Sequence, residues 1–227
     1  MTGVQALGPF ITFEGVDGSG KTTQLHYLAE RLRAAGEAVT ETREPGGTAL
    51  GNQLRQLLLE PSPEPIVPQA ELAMMFAARA QNCERVIQPA RRRGEWVLCD
   101  RFTDASLAYQ GAGRGVARAT ILTLHELLCP GCRPDLTLIL DVEPRLSLER
   151  ARKRLHRAGS SEGRFEAEGA AFFERVRAAY HNLARLEPER CRLIETAAPE
   201  LEVAERIWHE VARAMAGRQP LAFRKTS

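Results

Sequence analysis

Lysine is scarce in this 227-residue chain: only Lys21, Lys153 and Lys225 are present, and arginine supplies the rest of the 31 basic side chains. Against 29 acidic residues the formal net charge is +2, a balance that gives no footing for nucleic acid or a membrane surface, and neither partner is expected. Long apolar runs are absent. None approaches the roughly 20 residues of a spanning helix. The first nine residues also lack a basic start followed by an apolar stretch, so a cytoplasmic location is expected. Cysteines are few, odd in number and scattered (Cys83, Cys99, Cys129, Cys132 and Cys191), which argues against a secreted disulfide scaffold. Cys129-Pro130-Gly131-Cys132 is a single CxxC. It has no second ligand pair at zinc spacing, and it follows a helix rather than a strand-to-helix junction, so it reads as a bystander loop.

What is present is a hydrophobic content of 44%, enough for a sizeable core. Five short apolar runs read as buried strands, over residues 10–14, 38–42, 96–100, 136–141 and 192–195. Helical spacing is predicted for 22–35, 68–93 and 117–128, the first stopping at Gly36 and the second running from Pro68 to Gly94. Strands alternating with helices predict a parallel sheet covered on both faces. No internal repeat or linker divides the chain, so residues 1–227 read as one domain. A proline-rich stretch, 61–68, and a glycine- and serine-containing break, 155–163, interrupt the rhythm.

The strongest local signal is Gly15-Val16-Asp17-Gly18-Ser19-Gly20-Lys21-Thr22, a GxxxxGK(S/T) loop. Its glycines let the backbone turn its N–H groups inward, and the helix that follows adds the positive end of its dipole. Lys21 is expected to reach the terminal phosphates of ATP, and Thr22 to offer a hydroxyl to Mg²⁺. The loop follows a predicted strand and opens a predicted helix, as phosphate binding requires.

Phosphate-binding loops serve kinases, switches and motors, so the rest of the chain must choose. The third strand ends in Asp100, at the carboxyl edge where ligands bind in such sheets, and Arg101 follows at once. That pair offers a metal ligand beside an anion-binding fork. Arg150, Arg152, Arg154 and Arg157 precede the break at 155–163 or lie within it, and Arg164 follows it. Arginines delivered by a closing loop suit the charge that develops in phosphoryl transfer, and closure excludes water. There is no Asn-Lys-x-Asp guanine-reading motif. A small kinase is favoured over a switch protein.

In four places the residues resemble the thymidylate kinase family. They are 13–23 around the phosphate loop, Thr42-Arg43-Glu44-Pro45-Gly46-Gly47-Thr48, the run 100–111 from Asp100 to Gly111, and 134–142. In order and spacing the likeness spans about residues 10–196. It implies a three-layer α/β/α fold with a five-stranded parallel sheet, order 2-3-1-4-5, and a short lid at about 150–166. It implies phosphorylation of dTMP to dTDP by ATP with Mg²⁺, in a homodimer. The helix from Ala70 to Val86, carrying Leu72, Met75, Cys83 and Val86, is the candidate apolar face for that dimer.

Carried over residue by residue, the resemblance implies that Gly15 to Thr22 cradle ATP, with Thr22 and Asp100 as metal ligands. Asp17 would also face the 3′-hydroxyl and phosphate region of the acceptor. Glu44 and Pro45 would sit beside the acceptor across a cis peptide, and Arg55 and Arg101 would grip its phosphate. Ser106 and Gln110 would meet the thymine edge, Tyr109 would crowd the 2′ position, and Arg79 would donate to a thymine carbonyl. Lys21, Arg101, Arg152, Arg154 and Arg157 are the expected catalytic groups.

The chain departs from the family in three places. Phe76 lies three residues before Arg79, and Met75 lies four before, where the family often has phenylalanine. Both share a face with Arg79, and Phe76 is the expected thymine platform because an aromatic ring stacks on a base better than a thioether. Gly163-Arg164-Phe165-Glu166 stands where the family commonly has Asp-Arg-Phe-Glu. The interior of the phosphate loop is acidic, so the lid must supply the arginine, and Arg152, Arg154 and Arg157 all remain candidates. Kinases for another nucleoside monophosphate or for a deoxynucleoside would use the same loop and lid, and a switch or assembly protein would use the loop without a monophosphate acceptor.

Overall fold

A computed structural model describes residues 7–61, 63–143, 146, 147, 149, 164, 165 and 168–216. The expected lid arginines Arg150, Arg152, Arg154 and Arg157 lie outside the described residues, as do Gly163 and Glu166.

In chain order the elements are β1 (Phe10–Glu14), α1 (Lys21–Ala34), β2 (Val39–Arg43), α2 (Ala49–Leu59), α3 (Pro68–Asn82), a π-helical turn (Cys83–Ile87), α4 (Gln88–Arg92), β3 (Trp96–Asp100), α5 (Thr103–Ser106), a π-helical segment (Leu107–Gly113), α6 (Arg118–Leu128), β4 (Leu136–Asp141), α7 (Ala170–Leu186), β5 (Cys191–Glu195) and α8 (Glu200–Met215). The five strands form one sheet in the order β2-β3-β1-β4-β5, every neighbouring pair parallel, as the family resemblance implies. The helical run predicted for 68–93 is one continuous path made of α3, the π-helical turn and α4. Helix α2 was not among the sequence expectations. Its entry signal is Thr48, whose Oγ1 accepts from the Gly51 N–H at 3.0 Å as an N-cap.

Side chains of a strand alternate between faces, and the core follows that alternation. Ile11, Phe13, Trp96, Leu98, Leu136, Leu138 and Leu140 pack with Leu25, Leu28 and Leu32 of α1 and with Val203, Ile207, Trp208, Val211 and Met215 of α8. Each such buried side chain contributes about 1.5–3 kcal/mol. On the other face, Phe10, Val97 and Cys99 meet α3 and α6, while Ile139 meets α7. Between these two clusters runs a buried polar seam. Thr12 and Thr137 hydroxyls lie 2.9 Å apart, and Thr137 donates to Asp104, which also receives both terminal nitrogens of Arg190.

Cys129 and Cys132 are wholly buried in the cluster beneath α3, beside Cys83, and all five cysteines are free thiols. Leu72 and Cys83, half of the apolar face expected for a dimer, are likewise spent on this core. No helix among the described residues is long and apolar enough to cross a membrane.

The register sets where chemistry can gather. Phe13 and Arg43 both pair with Asp100, so β2 and β3 stop level at their carboxyl ends and β1 runs one residue further, to Glu14. The chain leaves those ends as the phosphate loop, the Glu44-Pro45 turn and Arg101. Parallel strands thus bring three segments far apart in sequence to one edge.

Candidate active site at the carboxyl edge of the sheet

The phosphate loop wraps the start of α1. Gly15, at φ +130°, is held where a Cβ would meet the Leu140 carbonyl oxygen at 2.4 Å, so only glycine fits. Gly20, at φ +92°, precedes α1 with no side-chain cap, and the first turn carries no acidic residue. The N-terminal N–H groups and the dipole are therefore left for an anion. Lys21 is buried, and its Nζ donates to the Val16 carbonyl at 3.0 Å, folded back over its own loop. Burial, followed by the neighbouring Arg101 charge, lowers Lys21 to about 8, against the pull of Asp17, Asp100 and Glu14.

Two cavities open from this edge and share Asp17, Glu44, Arg55, Leu59, Arg101 and Phe165. The larger, about 910 Å³, is lined by the loop, Thr22, Asp100 and Arg55. The smaller, about 80 Å³, is bordered by Met75, Arg79, Ser106, Tyr109 and Gln110. The expected donor and acceptor residues thus divide between two connected spaces.

Arg101 sits at their junction with φ +70°, the left-handed region that a non-glycine residue adopts only when held. Its N–H donates to the Phe13 carbonyl at 2.9 Å. Its guanidinium donates to the Gly15 carbonyl at 2.9 Å, to Asp17 Oδ1 at 2.8 Å and to the Tyr109 hydroxyl at 3.0 Å. The Tyr109 hydroxyl donates onward to Asp17 Oδ2 at 3.1 Å. The Ser147 hydroxyl donates to the Asp17 carbonyl. Asp17, Arg101 and Tyr109, three separate expectations of the sequence, form one triangle.

The Glu44-Pro45 peptide is cis. Pro45 offers its carbonyl to Arg55 Nη1 at 3.2 Å, and Glu44 turns inward to accept from Arg79 Nε at 2.6 Å and Asn82 Nδ2 at 3.2 Å. Burial raises Glu44 above the usual carboxylate range, with Arg79 opposing it. Arg79 is itself buried; its Nη2 donates to the Phe102 carbonyl, and its Nη1 has no partner. The Ser106 hydroxyl is also buried without a partner. Both residues line the smaller cavity. Unpaired buried polar atoms are costly, so two of them around one cavity point to a ligand's polar edge.

Phe76 does not border that cavity. It is fully buried in the core, with the Arg79 guanidinium carbon 4.6 Å from its ring centre, whereas half-buried Met75 lines the cavity. One residue along a helix is about 100° around it, and the Phe76 side of α3 is the side that the sheet covers. The ring therefore underlies the arginine instead of facing the open space.

Thr22 Oγ1 donates to Asp100 Oδ2 at 2.6 Å. A hydroxyl and a carboxylate oxygen converging beside a phosphate loop are hard donors that fit Mg²⁺, which takes few protein ligands and completes its shell with phosphate and water. Among the described residues no group of three or more His, Cys, Asp or Glu side chains is placed to hold a metal by itself.

Several residues that brace the site without lining either cavity escaped sequence reasoning. Glu14, the last residue of β1, accepts from the Phe102 N–H at 2.7 Å and the Ala105 N–H at 3.3 Å through Oε1, and from the Tyr180 hydroxyl at 2.8 Å through Oε2. Burial and then Asp104 push Glu14 up to about 8, against Arg101, Tyr180 and Phe102. Glu71 and Asn82 were missed as well. Asn82 stands three residues after Arg79, one helical step on the same face, which is a signal that was available.

Known proteins of similar sequence and fold point to one family. A family model described as Thymidylate kinase matches residues 13–207. The curated thymidylate kinase of Pelobacter propionicus is 48% identical over 206 residues, covering 90% of this chain and 94% of the relative. That of Methylococcus capsulatus is 48% identical over 210 residues, covering 92% and 98% respectively. The crystal structure of thymidylate kinase from Ehrlichia chaffeensis superposes with a TM-score of 0.71 at 33% identity, covering 90% of this chain and 98% of that one. With a family model matching residues 13–207, relatives 48% identical over most of their length and a solved neighbour sharing the fold, the chain belongs to the thymidylate kinase family.

Proposed function

We propose that this protein transfers the terminal phosphoryl group of ATP to dTMP, giving ADP and dTDP, with Mg²⁺. One observation carries the choice of acceptor. The smaller cavity has two buried polar atoms without partners, Arg79 Nη1 and Ser106 Oγ, around an otherwise closely fitted space. A pyrimidine edge supplies what they lack.

In this reading the thymine enters over Met75, with Arg79 donating to a ring carbonyl and Ser106 and Gln110 meeting the same edge. Tyr109, pinned between Arg101 and Asp17, fills the room a 2′-hydroxyl would need. Arg55 and Arg101 hold the acceptor phosphate where the two cavities meet. That phosphate is already an anion and attacks without a general base, so the protein's work is alignment and charge stabilisation. Gly15 to Thr22 cradle the donor phosphates, and Lys21 leaves the Val16 carbonyl for them. Thr22 and Asp100 would hold Mg²⁺, which supplies charge neutralisation at the donor phosphates when bound. Arg152, Arg154 and Arg157 remain the proposed lid contribution. The homodimer and the cytoplasmic location belong to the same reading, supported by the family resemblance.

The test is an ADP-release assay across nucleoside monophosphates. We expect dTMP to be the preferred acceptor; equal or better turnover of dGMP or UMP would overturn the choice of base.

A further inference from the structure

Glu71, in the first turn of α3, is fully buried yet borders neither cavity. Its Oε1 accepts from Gln110 Nε2 at 2.8 Å. Its Oε2 accepts from Arg164 Nη2 at 2.7 Å and faces Arg114 Nε at 3.5 Å. A carboxylate set against two guanidiniums can only accept hydrogen bonds. Gln110 therefore cannot turn its amide over: the NH₂ end must face Glu71, and the carbonyl end is the one left for the small cavity that Gln110 lines.

The result is a fixed pattern of one acceptor, Gln110 Oε1, and one donor, Arg79 Nη1, around a space sized for a base. An imide edge, with a ring N–H beside a carbonyl, satisfies both. A cytosine edge reverses both, setting a ring lone pair against Oε1 and an amino group against the guanidinium. We propose that Glu71 is a specificity-determining positioning residue, which locks the Gln110 amide so that the pocket accepts imide-bearing pyrimidines and rejects cytosine. This rests on the smaller cavity being the base site. Uracil shares the imide edge, so selection of the methyl group is a separate matter.

Glu71→Gln keeps the shape and gives position 71 a donor, which frees the Gln110 amide to turn. The ratio of kcat/KM for dTMP to that for dCMP is expected to fall about tenfold, through KM for the two monophosphates, with KM for ATP unchanged. If Glu71 only braces Arg114 and Arg164, both monophosphates lose turnover in parallel, the ratio stays, and the proposal is overturned. Arg164→Gln breaks the same ion pair without touching Gln110; loss of the ratio there would equally overturn it. Should Glu71→Gln not fold, ¹⁵N NMR of the selectively labelled wild-type protein decides. Slowly exchanging Gln110 Nε2 protons support the proposal, and freely exchanging ones refute it. Absence of dTMP turnover in the wild type is a different result, which sinks the reading of the pocket itself.

Discussion

The Arg101 guanidinium is held by the carboxylate assigned to the acceptor sugar: Nη2 of Arg101 donates to Asp17 Oδ1 at 2.8 Å. Under the proposed function both groups serve the acceptor, and an entering monophosphate would trade some of this pairing for contacts of its own. The pair keeps the arginine aimed at the junction of the two cavities before substrate arrives.

Arg101→Ala removes a preorganised cation from the transferred charge. A loss of about 10²–10³ in kcat is expected, with ATP affinity retained. Steady-state kinetics with calorimetric ATP titration reads both. A parallel loss of ATP binding would assign Arg101 to the donor side or to the fold.

Glu14 makes a pH prediction with a definite sign. Its carboxyl is raised from 4.5 to about 8 in the folded protein, by burial and then by Asp104. Below 4.5 both states hold the proton. Between the two values the unfolded chain releases it while the folded protein retains it, so this group's contribution to stability falls as pH rises and is gone above about 8. The loss amounts to roughly a few kcal/mol. Glu14→Gln, which mimics the protonated form, should cost less than about 1 kcal/mol near pH 7 and should flatten that slope. Urea unfolding at pH 5, 7 and 9 checks it; an unchanged slope would place the titration elsewhere.

Met75 and Phe76 should separate cleanly. Phe76→Ala empties a core site and should destabilise by about 3 kcal/mol or more. Met75→Ala should change stability little and raise KM for dTMP about tenfold by removing the surface beneath the base. Thermal unfolding and kinetics on both variants are the measurement. The reverse assignment would restore Phe76 as the platform.

Asp100→Asn keeps a similar shape and removes one charge from the Thr22–Asp100 pair. The Mg²⁺ concentration for half-maximal activity should rise at least about tenfold, while dTMP binding stays the same. Chelation of divalent cations should stop transfer in the wild type, and unchanged Mg²⁺ dependence in the variant would remove Asp100 from the metal site.

Contiguous motifs pointed to one edge of the sheet. The loop from Gly15 to Thr22, Asp100 with Arg101, and Tyr109 with Gln110 are each read from local order, and the fold gathers them around two adjoining cavities. The sheet was legible too, because its three central strands, β3, β1 and β4, are buried and read as short apolar runs. Glu14, Glu71 and Asn82 were not. Their meaning comes from partners that only folding brings near, as with Glu14 and Tyr180, 166 positions apart. The choice between Phe76 and Met75 was not legible for another reason. It and Met75 both share a helical face with Arg79, and only the side of α3 that meets the sheet separates them. Spacing along a helix cannot say which side that will be.

The left-handed backbone at Arg101 sets two selective pressures against each other. Glycine would relax position 101 by about 1 kcal/mol or more, so any search for hardiness alone is drawn to it. The same exchange deletes the cation at the junction of the two cavities. Attempts to make a sturdier version of this protein should therefore leave position 101 untouched and seek their gains on the α1 and α8 side of the sheet, which plays no part in the acceptor pocket.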